Sequence, residues 1–102
     1  MSLQECQDLV KQVSYEIQKK EVFTSSFFIT RLASEVGQVA EKYLREGRIT
    51  KDIDVDITDI ILVCLAYLNW LEEEATKAFA KSLDKYKKAT ELFKKEKHWS
   101  PV

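Results

Sequence analysis

Two glycines and one proline are all that interrupt 102 residues. A chain this poor in residues that reverse or stop a helix is restricted to long helices joined by few turns. With 32% charged and 45% hydrophobic residues, those helices can each have a wet side and a dry side, and the expected fold class is all-α. The length suits one domain, residues 1–102, with a single core and at most one site of its own, or sites shared between subunits.

The apolar spacing divides the chain into four helices. Leu3, Cys6, Leu9, Val10, Val13 and Ile17 recur at three- and four-residue intervals, which predicts an amphipathic helix over about 3–20. Thr24, Ser25 and Ser26 are candidate N-caps for a second helix over about 26–46, whose stripe runs through Leu32, Val36, Val39 and Tyr43 to Gly47. The segment "GRITKDID" breaks the pattern, and Asp52 or Asp54 can cap a third helix over about 54–70. Its run "IILVCLAYL" is apolar on every side, so this helix needs partners all round, more than one small bundle supplies. The expectation is therefore association with further copies. Acidic "LEEEA" is expected to start a fourth helix over about 74–95, complementing its dipole, while the lysines near its other end do the same there. The tail 96–102 is read as flexible.

Composition excludes several classes of function. Sixteen basic against seventeen acidic side chains leave a net charge of −1, so no global field recruits duplex nucleic acid or an anionic membrane. Cys6 and Cys64 lie 58 positions apart and form no zinc or redox motif; buried, reduced thiols are expected. No segment approaches the ~20 apolar residues that span a bilayer, and "MSLQECQDLVKQ" lacks the pattern of a signal peptide. The chain is accordingly expected to be soluble and cytoplasmic. His98, the single histidine, falls in the tail and is no base for a nucleophile.

The candidate chemistry lies in two pairs of oxygen-bearing side chains. Glu35 and Gln38 are three apart, as are Asp56 and Asp59, and residues so spaced project from one side of a helix. The pairs flank the short loop between helices two and three, which makes those helices antiparallel neighbours. All four side chains can then reach one small volume. Glu35 sits beside Leu32, Val36 and Val39, and Asp59 directly precedes the apolar run. Carboxylates so close to a dry interior are costly unless a cation offsets their charge. An oxygen-only set favours Mg²⁺ or Mn²⁺ over zinc. Calcium of the EF-hand type is excluded, because Ile57 stands where that loop needs glycine and Val63 where it needs glutamate. Purely structural charges are the competing reading: Asp56 and Asp59 as first-turn dipole partners, and Glu35 paired with Arg31 or Lys42.

These residues resemble a known family. Leu32-Ala33-Ser34-Glu35-Val36-Gly37-Gln38-Val39-Ala40-Glu41 is similar to the "L-x-E-E-x-G-E-L-x-E" helix of the MazG-like, all-α nucleoside triphosphate pyrophosphohydrolases. Asp56-Ile57-Thr58-Asp59-Ile60-Ile61 is similar to that family's "E-L-x-D-V-I", and the 17 residues between Gln38 and Asp56 suit the combined pattern. The likeness covers roughly residues 24–90. It implies a four-helix bundle assembled as a homodimer or homotetramer, with Mg²⁺ held by Glu35, Gln38, Asp56 and Asp59. It implies a nucleoside triphosphate as substrate, cut to monophosphate and pyrophosphate, with Glu35 and Asp59 as catalytic residues. It further implies nucleotide contacts from Asn69, Lys81, Lys85 and Tyr86, with Phe27, Phe28 and Trp70 as candidate base contacts. The chain departs from the pattern at three positions. Gln38 replaces a glutamate, Ser34 replaces another, and Asp56 is one methylene shorter than the glutamate expected, so the site carries less negative charge than the family's.

Overall fold

The computed structural model describes residues 1–18 and 23–96. Four helices account for most of them: α1 over Leu3–Gln18, α2 over Ser25–Glu46, α3 over Ile53–Trp70 and α4 over Ala75–Glu96. The all-α expectation is met. The continuation of α1 to Lys20, and the tail from residue 97 with His98, lie outside the described residues.

Each boundary has a local cause. Thr24 is extended (φ −132°), and its hydroxyl oxygen accepts the Phe27 N–H at 3.2 Å, satisfying one of the first-turn donors of α2. Gly47 ends α2 in the left-handed region at φ 68°, returning its N–H to the Tyr43 carbonyl at 2.8 Å, a conformation that favours glycine. Asp52 occupies the N-cap position of α3 without a side-chain cap bond, whereas Asp54 and Asp56 stand in its first turn, where negative charge suits the dipole. The end of α3 is less usual. Glu72 adopts φ 60° without being glycine, while the Glu73 N–H returns to Leu68 O at 2.9 Å and the Glu72 N–H to Asn69 O at 3.1 Å, closing a Schellman turn. Glu72, Glu73 and Glu74 thus lie in that turn, just ahead of α4, and not in its first helical turn as expected.

That shift has an identifiable reason in Gln7. Its side chain is buried (3% exposed) and bridges the gap between α1 and the start of α4. Its amide donates to Glu73 O at 2.7 Å and its amide oxygen accepts the Ala75 N–H at 2.7 Å, so a residue from α1 caps α4. Asn69 completes the junction by donating from its side chain to Gln7 O at 3.1 Å.

The core begins where α2 meets α3. Phe28 stacks on Tyr67 with ring centres 5.0 Å apart and planes 5° from parallel, and Trp70 lies 5.7 Å from Phe28. Tyr67 also donates its hydroxyl to Ser25 Oγ at 2.9 Å. Phe28 and Leu65 are buried, a burial worth about 2 kcal/mol per side chain, and Phe28 is packed as core and not as an open base contact. Since Ser25 and Phe28 meet Tyr67 while Lys42 meets Asp56, α2 and α3 run antiparallel.

The principal helix pairs are α2 with α3, α1 with α3, and α1 with α4. The bundle is open: an apolar groove of about 480 Å³ is left over α3, between α2 and α4. Ile57, Ile61 and Leu62 of α3 are each close to half exposed, so one chain does not enclose this helix. Both cysteines are free and half-buried, less enclosed than expected. Among the described residues no helix is long and apolar enough to cross a membrane.

Removing the Gln7 bridge leaves a buried backbone donor and acceptor unpaired, at ~1–3 kcal/mol each. Gln7→Ala is therefore expected to lower unfolding stability by about 2–4 kcal/mol in urea titration, with α4 losing helicity first.

Candidate metal centre

Helix α2 presents Glu35, Gln38, Lys42 and Arg45 at intervals of three, four and three, so all four lie along one stripe. Facing them, the first turns of α3 present Asp56 and Asp59. The short connection through residues 47–52 turns these stretches toward each other, and together with Val39 and Glu41 they line a cleft of about 370 Å³. Glu35, Gln38, Asp56 and Asp59 thus line one cleft from two facing helices. Glu35 is the most enclosed of the ion-paired groups there, its side chain 15% exposed.

Three of the four cleft carboxylates are already partnered by the chain's own cations. Glu35 Oε1 accepts from Arg31 Nε at 3.1 Å, and Asp56 Oδ2 accepts from Lys42 Nζ at 3.1 Å across the two helices. Glu41 pairs with Arg45 at 3.6 Å. Gln38 donates its amide to Ser34 Oγ at 3.3 Å, which leaves its oxygen available as a ligand. The pairing of Glu35 with Arg31 is the arrangement the structural-charge reading anticipates. Among the described residues, no three acidic, histidine or cysteine side chains stand close enough together to grip a metal ion as arranged.

The cleft nonetheless keeps a net negative charge. Four acids line the cleft against Lys42 and Arg45, and Arg31 pairs with Glu35 from beside it, which leaves one surplus negative charge. The donor atoms are all oxygen, the type that hard cations take. Filling the site requires Lys42 to leave Asp56 and Arg31 to leave Glu35. Both pairs are partly solvated, and such pairs contribute only ~0–1 kcal/mol, so release is inexpensive.

The remaining expected site residues lie elsewhere. Asn69 is ten residues beyond Asp59 on α3, about 15 Å along the axis, and its amide is spent on Gln7. Lys81, Lys85 and Tyr86 are exposed on α4 and do not line the carboxylate cleft of their own chain. Cys64 lies in the apolar groove, where burial raises its thiol pKa against the opposing effect of a backbone hydrogen bond. It is held in the protonated form, the wrong state for a nucleophile. Arg45 is the cleft residue that spacing alone could have identified, since it continues the stripe of Glu35, Gln38 and Lys42.

Compared with family models, curated proteins and solved structures, the chain matches none.

Lys42 is expected to act as a competitor for any cation in the cleft. Lys42→Met removes a positive charge within contact distance of Asp56, so Mn²⁺ affinity measured by calorimetry or electron paramagnetic resonance should rise about threefold to tenfold. An unchanged affinity would show that cations do not enter at Asp56.

Proposed function

We propose that this chain is a Mg²⁺-dependent nucleoside triphosphate pyrophosphohydrolase of the MazG-like kind, converting a nucleoside triphosphate and water to the monophosphate and pyrophosphate. The observation that carries the reading is the shared cleft of Glu35, Gln38, Asp56 and Asp59, which keeps a net negative charge. The residues fit a hard divalent ion by donor chemistry, Mn²⁺ being the alternative to Mg²⁺. Such an ion, when bound, offsets triphosphate charge and lowers the pKa of a water molecule.

Each side chain has a distinct part in this scheme. Asp56 and Asp59 anchor the α3 side of the site, with Gln38 contributing an uncharged oxygen from α2. Glu35 and Asp59 are the catalytic pair, holding the nucleophilic water by accepting its hydrogens. Lys42, once displaced from Asp56, is free to donate to a phosphate oxygen at the same mouth, and Arg45 presents a guanidinium beside it. The resident cations thereby become phosphate partners. Clearance of unwanted nucleotides in the cytoplasm is the setting this activity suits. Asn69, Lys81, Lys85 and Tyr86 belong to the nucleotide-contacting part of the proposal.

A second reading is favoured by one specific observation, the occupation of Glu35 and Asp56 by Arg31 and Lys42 together with the neutral Gln38. On this reading the bundle is catalytically silent and binds nucleotides or a protein partner.

Turnover separates the two. Purified protein given canonical and modified nucleoside triphosphates with Mg²⁺ or Mn²⁺ should release pyrophosphate and monophosphate together. Glu35→Ala and Asp59→Ala should each lower kcat by about 100-fold or more, since even outer-shell changes at metal sites cost ~10–100-fold. Gln38→Glu restores a negative charge and should tighten Mg²⁺ binding. Release of single phosphate, or unimpaired rates in both alanine variants, overturns the enzyme assignment; a raised Tm with nucleotide but no turnover supports the silent binder.

A further inference from the structure

Helix α2 carries three cations, divided unequally about Glu35 and Gln38. Lys42 and Arg45 follow that pair along the helix, whereas Arg31 precedes it. Two neighbouring cations hold a polyanion more strongly than one, so the pyrophosphate half of a bound triphosphate lies toward Lys42 and Arg45. The nucleoside half is then directed past Glu35 toward Arg31.

A surface for the base lies on that side. Phe27, Arg31, Glu35, Gln38, Lys42 and Arg45 recur at intervals of four, four, three, four and three, which makes one continuous stripe. Phe27 stands ~12 Å along the axis from Glu35, beyond Arg31. It is 43% exposed, yet its ring is held in place by two others. Phe23 lies 4.6 Å from it, centre to centre, and Phe28 meets it edge-on at 5.4 Å. A ring that is both fixed and accessible is a stacking platform for a base of any kind.

Stacking does not choose between bases, but the residue beside the platform can. The Arg31 side chain is 58% exposed and is bound through Nε to Glu35 at 3.1 Å. When a metal ion takes Glu35, the guanidinium is released one helical turn from Phe27. It has donors only, and its planar fork fits two adjacent acceptors. Guanine presents such a pair in O6 and N7, whereas adenine sets the N6 donor beside N7.

We infer that Arg31 selects a guanine base stacked on Phe27, once the metal ion has taken Glu35 from it. This rests on the pyrophosphohydrolase reading and adds a substrate class to it. The probes are guanosine and adenosine triphosphates with methylene in place of the α,β-bridging oxygen, so that affinity is read by calorimetry in Mg²⁺ without turnover. The guanosine analogue should bind at least ~5-fold more tightly than the adenosine analogue. This ratio cancels any change in metal affinity that an altered Arg31 brings. Arg31→Met should reduce it to about one, and Arg31→Gln, whose amide matches N6 and N7 of adenine, should invert it. Phe27→Ala should weaken both analogues together by about fivefold or more. Equal affinity of the unaltered chain for the two analogues, or a guanosine preference that survives Arg31→Met, overturns the inference and leaves the pyrophosphohydrolase reading standing. Failure of both analogues to bind in the presence of Mg²⁺ overturns the two together.

Discussion

The contact between α2 and α3 organises everything else in the molecule. At one end it is dry and aromatic, with Phe28 stacked on Tyr67 and the tyrosine hydroxyl tied to Ser25. At the other end it is ionic, with Lys42 reaching Asp56. The aromatic end supplies the free energy, since burial of large rings far outweighs a partly solvated ion pair. The ionic end supplies little stability, and the cleft opens there. A helix pair glued equally along its length would have no such opening.

Electrostatics in the cleft follow from this division. Carboxylates on two antiparallel rods repel, and the chain offsets the repulsion with its own lysine and arginines. Because these pairs are partly solvated, each contributes little and is easily exchanged. An uncharged Gln38 suits this arrangement: with those pairs in place, a further negative charge beside them would add repulsion.

Much of this was legible in the residues. The scarcity of glycine and proline, the three-and-four spacing and the caps Thr24 and Gly47 led to four helices with boundaries close to those observed. The i, i+3 pairs Glu35/Gln38 and Asp56/Asp59 were legible because a short loop constrains antiparallel neighbours. The bridging role of Gln7 was not, since a glutamine at the edge of an apolar stripe carries no sign of which backbone groups, here 66 and 68 residues away, it will meet. Nor was the left-handed Glu72, because acids before a helix ordinarily suggest dipole stabilisation and not a Schellman turn. Propensity and periodicity report what a segment prefers alone. Caps donated in trans and the open side of a bundle depend on the whole chain.

The attachment of α4 has a dynamic consequence. Ala75 and Ala89 are the buried apolar residues of this helix, and a methyl group contributes little burial free energy compared with an aromatic ring. Within one chain its docking rests on those small contacts and on the hydrogen bonds at Gln7, whereas α2 and α3 share a stacked aromatic cluster. Local opening should therefore be ordered: in the isolated protomer the amide hydrogens along α4 exchange with deuterium ahead of those of α2 and α3, and the C-terminal helix detaches as a unit before the hairpin melts.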